Sequence, residues 1–102
     1  MTTTTKKTVP TWLQITPSQA TVKLSTPVTL NSVSCDTITL RAPTIGDLRA
    51  AEKQHKDDQG AQELQMFATL AQCGVSDLDG LSLRDYRRVQ DCYFRLSDPA
   101  DE

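Results

Sequence analysis

From Ala20 the apolar residues fall on alternate positions: Ala20, Val22, Leu24, Val28 and Leu30 share one parity, with Thr21, Lys23, Ser25 and Thr29 between them. Successive side chains of an extended chain point to opposite faces, so this alternation predicts a half-buried strand. Pro27 lacks an N–H and places an edge or a bend near that point. A second alternation, Ile38 and Leu40 against Thr37, Thr39 and Arg41, predicts the returning strand. The polar stretch 31–36 is the expected turn, although it has no glycine. Such an antiparallel hairpin needs a helix on its apolar face to be stable.

After Pro43 the period changes from two to the 3.6 of a helix. Thr44 is the expected cap of a first helix that fades near His55, with Asp47 in reach of the cap and Ile45, Leu48 and Ala51 as its buried stripe. A second helix is predicted over about 61–73, with Gly74 as its left-handed terminator. It carries two apolar stripes: Leu64, Phe67, Ala68 and Ala71 on one side, and Met66, Leu70 and Cys73 nearly opposite. Ser76 is placed to cap a short helical turn. Ser82 is placed to cap the third helix, with Asp85 at the capping-box position. That last helix spreads Leu83, Tyr86, Val89, Cys92, Tyr93, Phe94 and Leu96 over roughly 200° of its circumference, wider than the usual stripe of about 100°. The predicted architecture is α+β: an N-terminal antiparallel β-hairpin packed against a three-helix C-terminal part. A flexible Thr-rich arm over 1–19 precedes a domain over 20–97, and a short acidic tail, 98–102, follows. Trp12, Leu13 and Ile15 form the one apolar spot of the arm, able to dock on the domain or on a partner.

Length and composition narrow the picture. A chain of 102 residues holds one domain and a small core. Its hydrophobic share is 37%, and exchanging its two tyrosines for its four glycines leaves it below the usual range of about 45–50%. Cores this small often lean on a partner or on self-association. Net charge is −2, which supplies no long-range attraction to nucleic acid or to an anionic membrane. No apolar run approaches the roughly 18 residues of a membrane span. Cys35, Cys73 and Cys92 are odd in number and widely spaced, as expected of reduced thiols in a cytoplasm.

Catalytic chemistry finds little support. His55 is the single histidine, so a histidine-based metal cluster is excluded, and nothing in the spacing brings it beside a cysteine. The pairs Asp57–Asp58 and Asp77–Asp79 lack the loop pattern of a calcium site and read as capping and solvated residues. No glycine-rich phosphate loop occurs. An enzyme is therefore not expected, and neither is a cofactor. Arg84, Arg87, Arg88 and Arg95 line the polar side of the last helix and could meet phosphate, but Asp85 and Asp91 lie among them.

The surplus of apolar helix surface is the more informative feature. Leaving a Leu, Phe or Met in water forfeits about 1.5–3 kcal/mol each. Either the helices are covered on both sides within one protomer, or one surface is kept for another chain. The candidate partner-binding residues are Met66, Phe67 and Leu70 on the second helix and Tyr86, Val89, Tyr93, Phe94 and Leu96 on the last. A methionine suits such a surface because its side chain adapts to varied partners. The broad apolar face of the last helix also leads us to expect a homo-oligomer.

The stretch LRAPTIGDL at 40–48 resembles the LRxPTxGDL signature of small phage tail assembly chaperones, the E-type group that includes proteins of Mu-like phages. LAQCGV at 70–75, DLDGL at 77–81 and DYRRVQ at 85–90 are similar to later helices of that family. The resemblance covers about residues 20–96. It implies a protein that binds the long, helical tape-measure protein in the host cytoplasm, keeps it soluble until the tail tube forms, and is absent from the mature virion. It also implies a frameshifted longer form of the chain as a further partner. The competing expectations are a structural or adaptor protein built into the tail, or a small DNA-binding regulator that uses the last helix. Neither nucleic acid nor membrane is expected as a partner of the chaperone.

Overall fold

The computed structural model describes residues 9–99. Three strands, β1 (Leu13–Ile15), β2 (Gln19–Leu30) and β3 (Val33–Arg41), precede four helices: α1 (Ile45–Gln54), α2 (Gln59–Ala71), α3 (Val75–Leu78) and α4 (Leu83–Ser97). The strands form one antiparallel sheet in the order β1-β2-β3. The architecture is thus the expected α+β, with the sheet at the N-terminal end and the helices after it.

The sheet has one strand more than the hairpin read from the sequence. Leu13, Gln14 and Ile15 pair with Val22, Thr21 and Ala20. Leu13 is buried, and Trp12 lies half-buried with the Arg88 guanidinium 5.2 Å from its ring centroid. The part of the supposed arm from residue 9 onward is therefore placed on the domain, and Leu13–Ile15 belongs to the sheet. Residues 1–8 of the arm and 100–102 of the acidic tail lie outside the described residues.

The alternation in β2 holds: Ala20, Val22, Leu24, Val28 and Leu30 are all buried, facing Ile38 and Leu40 in the same core. The register shifts between Lys23 and Val28, so Pro27 sits where β2 bulges and no ladder hydrogen bond is asked of it. The turn is tighter than the polar stretch suggested. Asn31 (φ 52°) and Ser32 (φ 68°) alone make it, and Val33 to Asp36 are already strand. Two successive left-handed residues match the twist of a two-residue hairpin. Asn31 is held there by its N–H donating to Asp77 Oδ2 at 3.1 Å and by its side-chain amide donating to the Gln72 carbonyl at 3.0 Å.

In the helices, capping chemistry explains both the agreements and the differences. At α1, Thr44 Oγ1 accepts from the Asp47 N–H at 3.2 Å while Asp47 accepts from the Thr44 N–H at 2.9 Å, the reciprocal box expected. The second helix begins earlier than expected because Asp58 caps it, accepting from the Ala61 N–H at 3.0 Å. It also ends earlier. Gln72 (φ 59°, ψ 45°), not Gly74, takes the left-handed position, with its N–H on the Thr69 carbonyl. Gly74 is extended instead and opens α3, where its N–H donates to Asp77 at 3.2 Å; Ser76 is not the cap.

Candidate functional site

α2 is sandwiched. Met66, Phe67, Ala68 and Leu70 are all buried, so the middle of both apolar stripes is covered within one protomer, and Leu64, Ala71 and Cys73 are half-buried. β3 packs against one side of it and α1 against another, while α4 covers β2. The residues expected to line a partner surface therefore divide. Leu70 and Val89 are core residues at 2% and 0% exposure, and Met66 and Phe67, at 4% and 1%, are enclosed to the same degree. Leu96 is half-buried against the core.

Met66, Phe67 and Tyr93 come together with Leu48, Ala51 and Gln62 around an open groove of about 240 Å³ between α1, α2 and α4. The Phe67 ring is the hinge of an aromatic row, with centroids 5.7 Å from Tyr86 and 5.5 Å from Tyr93. Tyr93 in turn meets Phe94 at 5.8 Å, and Phe94 is 63% exposed. The row thus runs from the core out to solvent at the groove. On the other flank of α2 a shallower hollow of about 450 Å³ is lined by Leu64, Leu78, Leu81, Leu83 and Tyr86. Glu63 borders both depressions and accepts hydrogen bonds from the Tyr86 hydroxyl and from Gln90 Nε2, the latter at 2.8 Å. Burial, and then the bond to Glu63, push the Tyr86 phenol well above its ordinary range, so it stays a neutral donor.

Ile45 and Leu48 are a correction. Read as the buried stripe of α1, they are 69% and 40% exposed, and Ala51 is the one residue of that helix that is buried. α1 follows the end of β3 and leans on α2 from outside, so only its inner residue reaches the core. What fixes α1 is electrostatic. Arg41 grips both oxygens of Asp47, at 2.7 and 2.9 Å, across the strand-to-helix turn. That grip, with the Thr44 bonds, holds the Asp47 carboxyl far below the usual carboxylate range. The stretch 40–48 is accordingly an architectural joint: Leu40 is fully buried, Arg41 and Asp47 clamp, Thr44 caps, and two apolar side chains are left outside.

Asp85 is the residue the sequence pattern misread. Ser82 Oγ does accept from the Asp85 N–H at 3.1 Å, but the Asp85 carboxylate turns away from the helix end. It is fully buried, and accepts from the N–H groups of Ser25 at 2.8 Å and Thr26 at 3.3 Å in the β2 bulge. Burial opposes its ionisation, but the Ser25, Thr26 and Ser82 bonds outweigh that and keep the carboxyl below its usual range. The alternation of β2 gave no sign that two of its N–H groups would need an acceptor from 60 residues away.

The arginines of α4 are partly engaged. Arg88 donates to the Lys23 carbonyl at 2.8 Å besides covering Trp12, and Arg95 Nε meets Asp91 at 3.3 Å. The Cys92 thiol is buried and pushed up to about 12, chiefly by that burial. His55 sits at the end of α1 with Nε2 3.5 Å from Gln65 Oε1, and its carbonyl accepts from Gln62 Nε2 at 2.8 Å. Among the described residues no His, Cys, Asp or Glu side chains gather in a metal-binding group, and no helix is long and apolar enough to cross a membrane.

A family model described as "Phage tail assembly chaperone proteins, E, or 41 or 14" matches residues 21–98, from the start of the core alternation to the end of the last helix. No curated protein and no solved structure shows significant similarity to the chain.

Proposed function

Since the chain belongs to the phage tail assembly chaperone family, and so works with protein partners in tail assembly, we propose that it holds the tape-measure protein through the apolar surface of its helical layer. The observation that carries this reading is the open groove between α1, α2 and α4. Its floor is Met66, Phe67 and Tyr93, and the exposed Leu48 on its wall, with Ile45 and Phe94 exposed on the neighbouring helix surfaces, adds apolar area. An amphipathic helix offers anchors at intervals of three and four residues, and a groove between helices is the complementary shape. The hollow around Leu83 extends apolar surface on the other side of Glu63.

In this reading the chain performs no chemistry. It lends cover to a long helical polypeptide in the host cytoplasm until the tail tube encloses it, and is then left behind. The test is co-expression with the tape-measure protein of the same phage tail. Wild type should raise the soluble fraction of that protein several-fold. Leu48→Asp with Phe94→Glu should remove the gain while leaving this chain folded by circular dichroism. An unchanged gain with the double variant, or no gain with wild type, rejects the groove or the role respectively. Mass spectrometry of purified virions should find the chain absent.

A further inference from the structure

Of the three long helices α1 is the least securely packed, and it lies over the most apolar part of the candidate site. It rests chiefly on α2, and Ala51 is the one residue it buries. Met66, Phe67 and Tyr93 stand across from that small side chain, and the groove of about 240 Å³ is space that Leu48 and Ala51 leave unfilled. Ile45, Leu48 and Ala51 recur at intervals of three, so they share one side of the helix. The first two are nevertheless 69% and 40% exposed. A helix that keeps two large apolar side chains in water, while covering two others with an alanine, is a poor match to its seat.

What holds α1 down is polar and sits at its two ends. Arg41 grips Asp47 at the first, and Gln62 Nε2 donates to the His55 carbonyl at 2.8 Å at the second. Short joints, 42–44 and 55–58, connect the helix to β3 and to α2. In the second joint Asp57 has φ 64°, a left-handed conformation that a residue with a side chain adopts at some cost. Half-exposed polar ties are weak beside the burial of large apolar side chains. α1 can therefore lift from α2 without disturbing α2 on β3 or α4 on β2.

We propose that α1 is a displaceable cover on the partner site. It lifts from α2, a helix of the tape-measure protein takes its place against Met66, Phe67 and Tyr93, and Ile45 and Leu48 close on the flank of the incoming helix. The inference rests on the tape-measure reading and adds how the site is opened. The seat already holds a helix, so its shape is set for one. An incoming helix with anchors larger than alanine fills the unfilled volume and gains apolar burial that α1 forgoes. While closed, the cover keeps Met66 and Phe67 out of water. Its closure also weakens the partner's apparent affinity, as for any site that is competent only in a minor conformation.

That weakening gives the test. Asp47→Asn and, from the strand side, Arg41→Gln each loosen the closed state alone. Each should tighten capture of the tape-measure protein by about three- to tenfold at matched folded concentration, although each lowers stability. A groove that binds with α1 in place predicts capture that is unchanged, or weakened by the loosened wall, and either result overturns the cover. The chain by itself supplies a second arm. In a Cys35→Ser, Cys73→Ser background, Ala51→Cys should react with a maleimide at a rate that low urea leaves unchanged, because lifting α1 is enough to reach it. The buried Cys92 of α4 should react at a rate that climbs with urea, because it waits for global unfolding. A common urea dependence of the two thiols would mean that α1 opens only with the whole fold, and would also overturn the proposal. Absence of any capture by wild type strikes the tape-measure reading instead, and the thiols still decide whether α1 lifts.

Discussion

Asp85 shows how one side chain ties an element to a distant irregularity. The bulge in β2 leaves the N–H groups of Ser25 and Thr26, both exposed residues, without ladder partners, and a hydrogen bond to a charged group is worth about 1.5–3 kcal/mol. The Asp85 carboxylate answers both, which is why a charged residue is tolerated at full burial. Asp85→Ala should therefore destabilise the fold by about 3 kcal/mol in urea titrations, through loss of both bonds to the charged carboxylate. The sign of the pH effect follows from the direction of the shift. Asp85 and Asp47 are both held below the ordinary carboxylate range, so each contributes stability that is fully present above about pH 4 and is lost as pH falls through its folded value. Unfolding free energy measured from pH 7 down to pH 2 should fall most steeply below pH 4. Asp85→Asn should flatten that limb; an acid limb unchanged in the variant contradicts the assignment.

At the scale of elements, α1 stands apart from the rest. Its inward contact is made by Ala51, a small side chain, and its position depends on the Arg41–Asp47 clamp and the Thr44 cap. Capping bonds and a half-exposed ion pair are together worth about 1–2 kcal/mol, less than the apolar contacts holding α2 and α4. Asp47→Asn should cost about 1 kcal/mol globally while releasing α1 first. Hydrogen exchange should then show the amides of 48–54 opening well before those of α2 and α4, and uniform loss of protection would refute a separately hinged helix. This is also where the sequence was least legible. Both core strands, the Thr44 and Ser82 caps and all four helical segments were visible in it, because period and capping chemistry are local. Whether Ile45 and Leu48 face inward is not local: it depends on α1 crossing outside α2 rather than on the sheet. The same holds for Leu13–Ile15, whose three residues are too few to show a period and whose strand exists only because β2 offers an edge. Gln72 displaced Gly74 as terminator because the chain must turn at once into α3, where the Gly74 N–H is needed by Asp77.

For the molecule as a whole, one sheet face carries the core, and in the proposed reading the helical layer offers the apolar surface for binding, so stability and the proposed role would meet at Phe67. Its ring is 1% exposed, is centred between Tyr86 and Tyr93, and at the same time lines the groove. A change there confounds the two roles. Phe67→Ala should cost about 3–5 kcal/mol, as truncation of a buried phenylalanine does, and any loss of chaperoning would report unfolding. Phe94 separates them. It stands at the outer end of the same aromatic row and is mostly in water, so Phe94→Ala should change stability by no more than about 0.5 kcal/mol. If the groove receives helix anchors, that variant should still weaken capture of the tape-measure protein several-fold in pull-downs at matched folded concentration. The original sequence puzzle, more apolar helix surface than a small fold hides, is thereby reduced to a handful of side chains. The middle of both stripes of α2 is enclosed, and the surplus has moved outward to Ile45, Leu48, Leu83 and Phe94. Full capture by a Phe94→Ala, Leu48→Ala double variant with a native melting curve would place the partner elsewhere on the surface.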